Sequence, residues 1–223
     1  MKKLMLFVCL ICILSPIATP AQNDYQIPTG ISINDSDLDW LTFNDRNGEA
    51  KLGKKELVLK SKQKALYFSS IVSIPTTMTF AKVPLNTDGD FYLSATMKPS
   101  KIDDKHLFGL VFNAADEADY NAILFDKQFC YFVRVVNGII IQGMQDRVRY
   151  KYVKMPKDMW KISVERRNGG DYVVSLNGLE IRTLAGNLQL SFPCVGLCVT
   201  NKGEVTATEV SFEQWAAPQD QEE

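Results

Sequence analysis

Arg134 interrupts an otherwise apolar run, FCYFVRVV from Phe129 to Val136. A strand over this run would show Phe129, Tyr131, Val133 and Val135 on one face and Cys130, Phe132 and Val136 on the other. A guanidinium among such neighbours needs a counterpart, because an unpaired buried charge is costly. The counterpart is either an acid such as Asp126, with the arginine forming an internal ion pair or snorkelling outward, or a hydroxyl or carboxylate of a ligand. Asn137-Gly138 suits a two-residue type I′ turn, which would set Arg134 opposite Ile141 and place Tyr131 on the other face with Ile140 and Gln142.

Downstream, MQDRVRYKYVK alternates Arg147, Arg149 and Lys151 with Val148, Tyr150 and Tyr152. One face is cationic and the other aromatic. Aromatic rings stack on the C–H faces of sugars and planar polar groups bridge their hydroxyls. Tyr120, Asn121, Tyr131, Arg134, Gln142, Arg149, Tyr150 and Tyr152 therefore form the candidate ligand-binding set. A basic row would suit an acidic or sulfated glycan, with salt-sensitive binding. The same alternation is equally that of a half-buried strand, with tyrosines in the core and a solvated basic face.

Other chemistries find less support. Asp116, Glu117 and Asp119 lie together beside Ala114 and Ala115, as in a solvated loop. A catalytic triad needs a histidine, and the only one, His106, opens an apolar strand near Asp103 and Asp104. In NTDGDF, Asn86, Asp88 and Asp90 resemble the start of a calcium loop, but the distal glutamate is missing and a tight turn explains the segment. Zinc would require His and Cys clusters that this sequence lacks. No cofactor is expected, with calcium at the NTDGDF turn as the alternative.

These residues must be positioned by strands. Around Asn177-Gly178 a type I′ turn would pair Leu176 with Leu179, Ser175 with Glu180 and Val174 with Ile181. Val174, Leu176, Leu179 and Ile181 then share a buried face, and Ser175, Glu180 and Arg182 share a solvated one. Trp160, Ile162 and Val164 alternate in the same way with Lys161, Ser163 and Glu165. Further strands are expected at Trp40–Phe43, Phe91–Lys98, His106–Asn113, Tyr120–Phe125, Val148–Val153, Cys194–Thr200 and Val205–Phe212. Pro75 and Pro84 confine residues 71–83 to an edge or loop. Nowhere does a helical period persist, so the pattern is that of an all-β sandwich of two antiparallel sheets.

The chain opens with MKKLMLFVCLICILSPIATPAQN, whose two lysines, apolar run and small residues up to Ala21 match a secretory signal peptide. The run is too short for a span of about 20 residues, so no membrane span is expected after cleavage. Losing Lys2 and Lys3 from 25 basic residues, against 26 acidic ones, leaves a charge of about −3. Basic and acidic residues are interspersed, which provides no footprint for nucleic acid. Cys130, Cys194 and Cys198 remain, an odd number. They are either small buried hydrophobes or include one disulfide from Cys130, which export permits. The expected domains are a signal peptide at 1–21, a lead-in at 22–39, a sandwich at 40–215 and a disordered acidic tail at 216–223.

The succession FYLSATMKP, LFGLVFNAADEADYNAILF, FVRVVNG, MWKISVERRNGGDYVVSLNGLEI and CVGLCVTNKGEVTATEVSFEQW resembles the concanavalin A-like lectin and glucanase superfamily. Its laminin-G-like modules and bacterial 3-keto-disaccharide hydrolase domains are the nearest likenesses. Gly109 to Phe112, Tyr120-Asn121, Trp160, the Asn-Gly hairpin and the Val-Gly-Leu strand carry the resemblance. It implies a jelly roll over Trp40 to Trp215, with one curved sheet whose concave face is part core and part ligand platform. The Glu-x-Asp-x-Glu strand of the retaining glucanases, which sets two carboxylates about 5 Å apart, is absent. The expectation is an exported lectin-like protein without catalysis, periplasmic or at the cell surface, whose partner is a glycan or polysaccharide. The alternatives are a glycoside hydrolase or lyase of the 3-keto-disaccharide type and a laminin-G-like module that binds an envelope protein.

Overall fold

The computed structural model describes residues 31–32, 39–64, 66–67, 72–73, 76–83, 89–143, 146–151, 158–167, 170–184, 192 and 194–215. The expected signal peptide, most of the expected lead-in, the acidic tail, Tyr152, Asn86 and Asp88 lie outside this set. A nine-stranded sheet contains β1 (Ile31–Ser32), β2 (Phe43–Asn44), β3 (Gly48–Leu52), β4 (Leu57–Ser61), β8 (Asp90–Pro99), β14 (Trp160–Arg166), β15 (Tyr172–Leu176), β16 (Leu179–Leu184) and β18 (Glu204–Trp215). A seven-stranded sheet contains β7 (Thr76–Lys82), β9 (Phe108–Ala114), β10 (Tyr120–Phe125), β11 (Phe129–Val136), β12 (Ile139–Gln142), β13 (Arg147–Arg149) and β17 (Cys194–Thr200). β5 (Leu66–Tyr67) and β6 (Val72–Ser73) form a separate pair.

The first sheet runs β16-β15-β14-β8-β18-β4-β3-β2, with β1 against β18. The second runs β12-β11-β10-β9-β17-β7, with β13 continuing the line of β12 along β11. This is the expected sandwich. The proline-flanked segment forms β7 at a sheet edge, as its prolines require. The lead-in contributes β1, which pairs Ile31 with Phe212.

Alternation along the strands builds the core between the sheets. Phe91, Leu93, Trp160, Ile162 and Val164 face Phe108, Leu110, Phe112, Ile123, Phe125 and Phe132. Trp160 is 2 % exposed and meets Phe108 edge-on at 5.0 Å. The outer face of the seven-stranded sheet carries a second buried apolar cluster, including Met78, Val111, Leu124, Tyr131, Val133 and Cys198. That explains why β10 and β11 are apolar on both faces.

Both Asn-Gly turns have positive φ at both residues: 50° and 73° at Asn137 and Gly138, and 55° and 79° at Asn177 and Gly178. They are the expected type I′ turns. Beyond each turn the register departs from a simple hairpin. Val174 pairs with Arg182 instead of Ile181, and Arg134 pairs with Gln142 instead of facing Ile141. Ile181 and Ile141 are extra residues, and such bulges raise the local twist of a strand at an edge and re-aim the side chains beyond it. Arg182, expected on the solvated face, thus shares the inward face of Val174 and keeps 11 % of its side chain exposed. Leu179, expected inside, is 58 % exposed at the turn, and Ile181 is half-buried.

Candidate functional site

The edge where β16 of one sheet faces β12 and β13 of the other collects the polar groups that point between the sheets. Asn121, Arg134 and Gln142 form one row across β10, β11 and β12, paired in register. Ile123 and Phe132 share their parity and belong to the inter-sheet core, so the row faces inward. Asn121 is 2 % exposed, and Arg134 and Gln142 are half-buried.

At the end of the row Gln142 Nε2 donates to Asp146 Oδ2 at 2.5 Å. Arg182 Nη2 donates to Asp146 Oδ1 at 2.8 Å from the opposite sheet. The Asp146 carbonyl accepts from Phe132 N at 3.1 Å, which pins the segment between β12 and β13 against β11. Asp146 and Arg182 therefore clasp the two sheets. Sequence reading missed both, because period-two alternation sends Arg182 outward and nothing in Leu-Glu-Ile-Arg announces a bulge.

Asp126 is not the partner of Arg134. It lies 2 % exposed at the start of the β10–β11 turn, where Oδ1 accepts from Gln128 N at 2.6 Å and from Phe129 N at 2.7 Å. Its Oδ2 accepts from the Tyr131 hydroxyl at 2.5 Å, and its carbonyl from the Tyr150 hydroxyl at 2.5 Å. Burial, aided by the adjacent Asp126 carboxylate, pushes the Tyr131 phenol well above the usual tyrosine range. The ion pair at this edge is that of Arg182 with Asp146.

The expected residues therefore divide. Asn121, Arg134 and Gln142 come together on the inner face. Tyr131 lies on the opposite face of β11, so no single groove uses both Tyr131 and Arg134. Tyr120 is buried with that outer cluster, Tyr150 packs edge-on against Phe125 and Trp160, and Arg149 is exposed opposite Phe129. Arg147 lies 4.4 Å above the Phe129 ring, a cation–π contact on the outer side of the edge. Tyr152 lies outside the described residues.

The remaining candidates have structural duties. Asp116 Oδ1 accepts from Ala118 N at 2.6 Å, and Asp119 Oδ1 from Asn137 N at 2.8 Å, so this cluster fastens a turn. His106 Nδ1 lies 2.7 Å from Asp103 Oδ1. Burial alone would raise the Asp103 carboxyl, but hydrogen bonds from His106 and the backbone outweigh it and hold the group below its usual range. Cys130, Cys194 and Cys198 are all free thiols. Burial pushes Cys130 up to about 12 and raises the other two as well. Among the described residues no three acidic, His or Cys side chains gather as metal ligands, and no helix is long and apolar enough to cross a membrane.

The fold is similar to that of several solved structures. One is a Bacillus subtilis protein of unknown function with a galectin-like fold, at 12% identity and a TM-score of 0.55, covering 86% of this chain and 99% of that one. Another is the carbohydrate recognition domain of Emp47p, at 11% identity and a TM-score of 0.54, covering 87% and 96%. A third is a Bacillus licheniformis β-glucanase, at 11% identity and a TM-score of 0.53, covering 82% and 97%. At these identities the likeness is one of fold: a jelly-roll sandwich of two antiparallel sheets. The sequence matches no protein-family model and no curated protein.

Proposed function

We propose that this chain is an exported, non-catalytic carbohydrate-binding protein that takes a saccharide at the β12–β16 edge of the sandwich. One observation carries the reading: the row Asn121, Arg134 and Gln142 presents planar polar groups side by side at the edge where Arg182 meets Asp146. Amide and guanidinium planes at neighbouring register positions, about 5 Å apart, lie close enough for one sugar ring to meet both. The Asp146–Arg182 clasp fixes the wall of the site, so little ordering is left for the ligand to impose. The fold is shared with a carbohydrate recognition domain and with a glucanase, whose activities lend support by analogy alone. Asp146, the carboxylate in hydrogen-bond contact with the row, is already held by Arg182, which favours binding over acid–base chemistry. The lysine-headed apolar leader supports export, to the periplasm or the cell surface.

The test is a glycan array followed by calorimetry on the chain from Gln22 onward. Saccharide binding without turnover of a disaccharide panel is the expected result. No saccharide binding, together with recovery of one specific protein from an envelope extract, would overturn the reading in favour of a protein-interaction module. Turnover lost on changing a carboxylate would overturn it in favour of a hydrolase or lyase.

A further inference from the structure

We infer that two copies of this chain associate through β12, which pairs with itself antiparallel about a two-fold axis and joins the two seven-stranded sheets edge to edge. The inference is independent of what the inner row of Asn121, Arg134 and Gln142 binds. Four strands end the sheet paths: β2 and β16 in one sheet, β7 and β12 in the other. An unpaired strand edge is a template for another strand, and natural sheets shorten it, charge it or cover it. β2 is two residues long, and β16 carries Glu180 and Arg182. β7 is covered on its free side, where Trp40 bridges Ala81 and Leu41 N donates to the Phe80 carbonyl at 2.9 Å. β12 has none of these guards. It reads Ile-Ile-Ile-Gln, and Ile139, Ile140 and Ile141 are 63%, 36% and 58% exposed.

The backbone of β12 can receive a partner strand. The residues flanking a two-residue turn exchange both hydrogen bonds, so Val136 and Ile139 bond to each other and the next pair, Val135 and Ile140, does not. The N–H and C=O of Ile140 therefore point away from β11, towards the open side. Facing then sets the register. Val135 belongs to the outer cluster, which puts Ile140 on the outer face and Ile139 on the inner one, while the bulge at Ile141 returns Gln142 to the inner face beside Arg134. Opposed residues of an antiparallel pair share a face, so Ile139 meets the partner's Gln142 and Ile140 meets the partner's Ile141. About the two-fold axis each contact occurs twice, as a closed, self-complementary interface requires.

Charge agrees with this direction of pairing. β13 continues the line of β12 and carries the exposed Arg147 and Arg149. At the other end of that line the Asn137-Gly138 turn is bonded to the β9–β10 loop: Gly138 N donates to the Ala118 carbonyl and Asn137 N to Asp119 Oδ1, both at 2.8 Å. Asp116 and Glu117 are exposed in that loop. Antiparallel pairing centred on Ile140 and Ile141 brings the basic end of each copy beside the acidic end of the other. Parallel pairing would set like charges together. A four-residue strand with flanking charges is a small interface, so the association is weak and concentration-dependent.

The test is sedimentation velocity on the chain from Gln22 onward, between about 1 and 300 μM, where a monomer should pass into a dimer with no larger species. Ile140→Lys places a charge at the centre of the pairing and should weaken it at least about tenfold. Arg149→Glu should weaken it about threefold, and adding Glu117→Arg should restore it to within about twofold of wild type. Circular dichroism checks that each variant is folded. A chain that stays monomeric over the whole range would overturn the inference, including the case in which β12 takes a strand of a different protein instead of its own copy. A dimer that persists unweakened in folded Ile140→Lys would overturn it by moving the interface elsewhere. A mass that climbs past the dimer would overturn the closed two-fold pairing, and a charge swap that restores nothing would overturn the antiparallel arrangement.

Discussion

Arg182 Nη2 lies 2.8 Å from Asp146 Oδ1, and this contact ties the β16 edge of one sheet to the β12–β13 edge of the other. Arg182 reaches Asp146 because a bulge at Ile181 turns it inward. The side chains are 11 % and 22 % exposed, enough burial for the loss of one partner to leave the other under-solvated. Asp146→Asn should therefore cost roughly 1–3 kcal/mol in urea unfolding. The double change Asp146→Asn with Arg182→Met should recover part of that loss, giving a coupling energy well above zero. Additive effects of the two changes would show that the clasp is not a unit.

Tyr131 and Asp126 make a second prediction. Tyr131→Phe removes the O–H donor from Asp126 Oδ2 while Oδ1 keeps its backbone donors. A loss of about 1–3 kcal/mol is expected. The Tyr131 phenol is raised in the folded state above its ordinary value of 10.0, so its contribution is complete below pH 10 and is lost as pH rises towards the folded value. The buried thiols Cys130 and Cys198 act in the same direction from their ordinary value of 9.0 upward. Chemical denaturation between pH 7 and 11 should show stability falling above about pH 9, and less steeply in Tyr131→Phe. Equal slopes for the two proteins would contradict the assignment.

Gly109 and Gly196 explain why two of the motifs that carried the family resemblance contain glycine. A Cβ at Gly109 would stand 1.8 Å from the Ile123 carbonyl oxygen, and one at Gly196 would stand 2.0 Å from that of Thr79. Both clashes are with the backbone of a neighbouring strand and cannot be relieved by a rotamer change. Gly109→Ala and Gly196→Ala should each cost more than about 3 kcal/mol or abolish soluble expression. Wild-type thermal stability in either variant would contradict this packing.

The architecture was legible from the sequence for a physical reason. Period-two alternation in β14 and β15 and the Asn-Gly turns are local signals, and each has one structural solution. The inward turn of Arg182 and Gln142 was not legible. A bulge is decided by what the re-aimed side chain meets across the edge, here Asp146, 36 positions before Arg182 in the chain. Tyr131 and Tyr150 were plausible sugar platforms as residue types, but Asp126, read in sequence as an acid for Arg134, instead holds both hydroxyls. Arg134 stood out in sequence as a charge in an apolar strand, and Asn121 as part of the Tyr-Asn motif. Their adjacency became visible only in the β10–β11 register.

The exposed isoleucines of β12 lead to a further prediction. Ile139 and Ile141 are 63% and 58% exposed on an uncharged edge strand, the kind of edge that natural sheets usually guard with lysine. Ile139→Lys should raise the solubility limit, measured by light scattering on concentration, with a change in unfolding free energy within about 0.5 kcal/mol. A lower solubility, or a large loss of stability, would show that the side chain is packed instead of free.

The most direct measurement of the central claim follows side-chain N–H signals by NMR while the best glycan from the array is titrated into the chain from Gln22 onward. The account predicts that the Asn121 and Gln142 amide signals and the Arg134 Nε–H signal shift together and saturate at one affinity. Saturable binding that leaves these signals in place and instead moves residues of the outer apolar face, such as Val111, Leu124 and Val133, would contradict it.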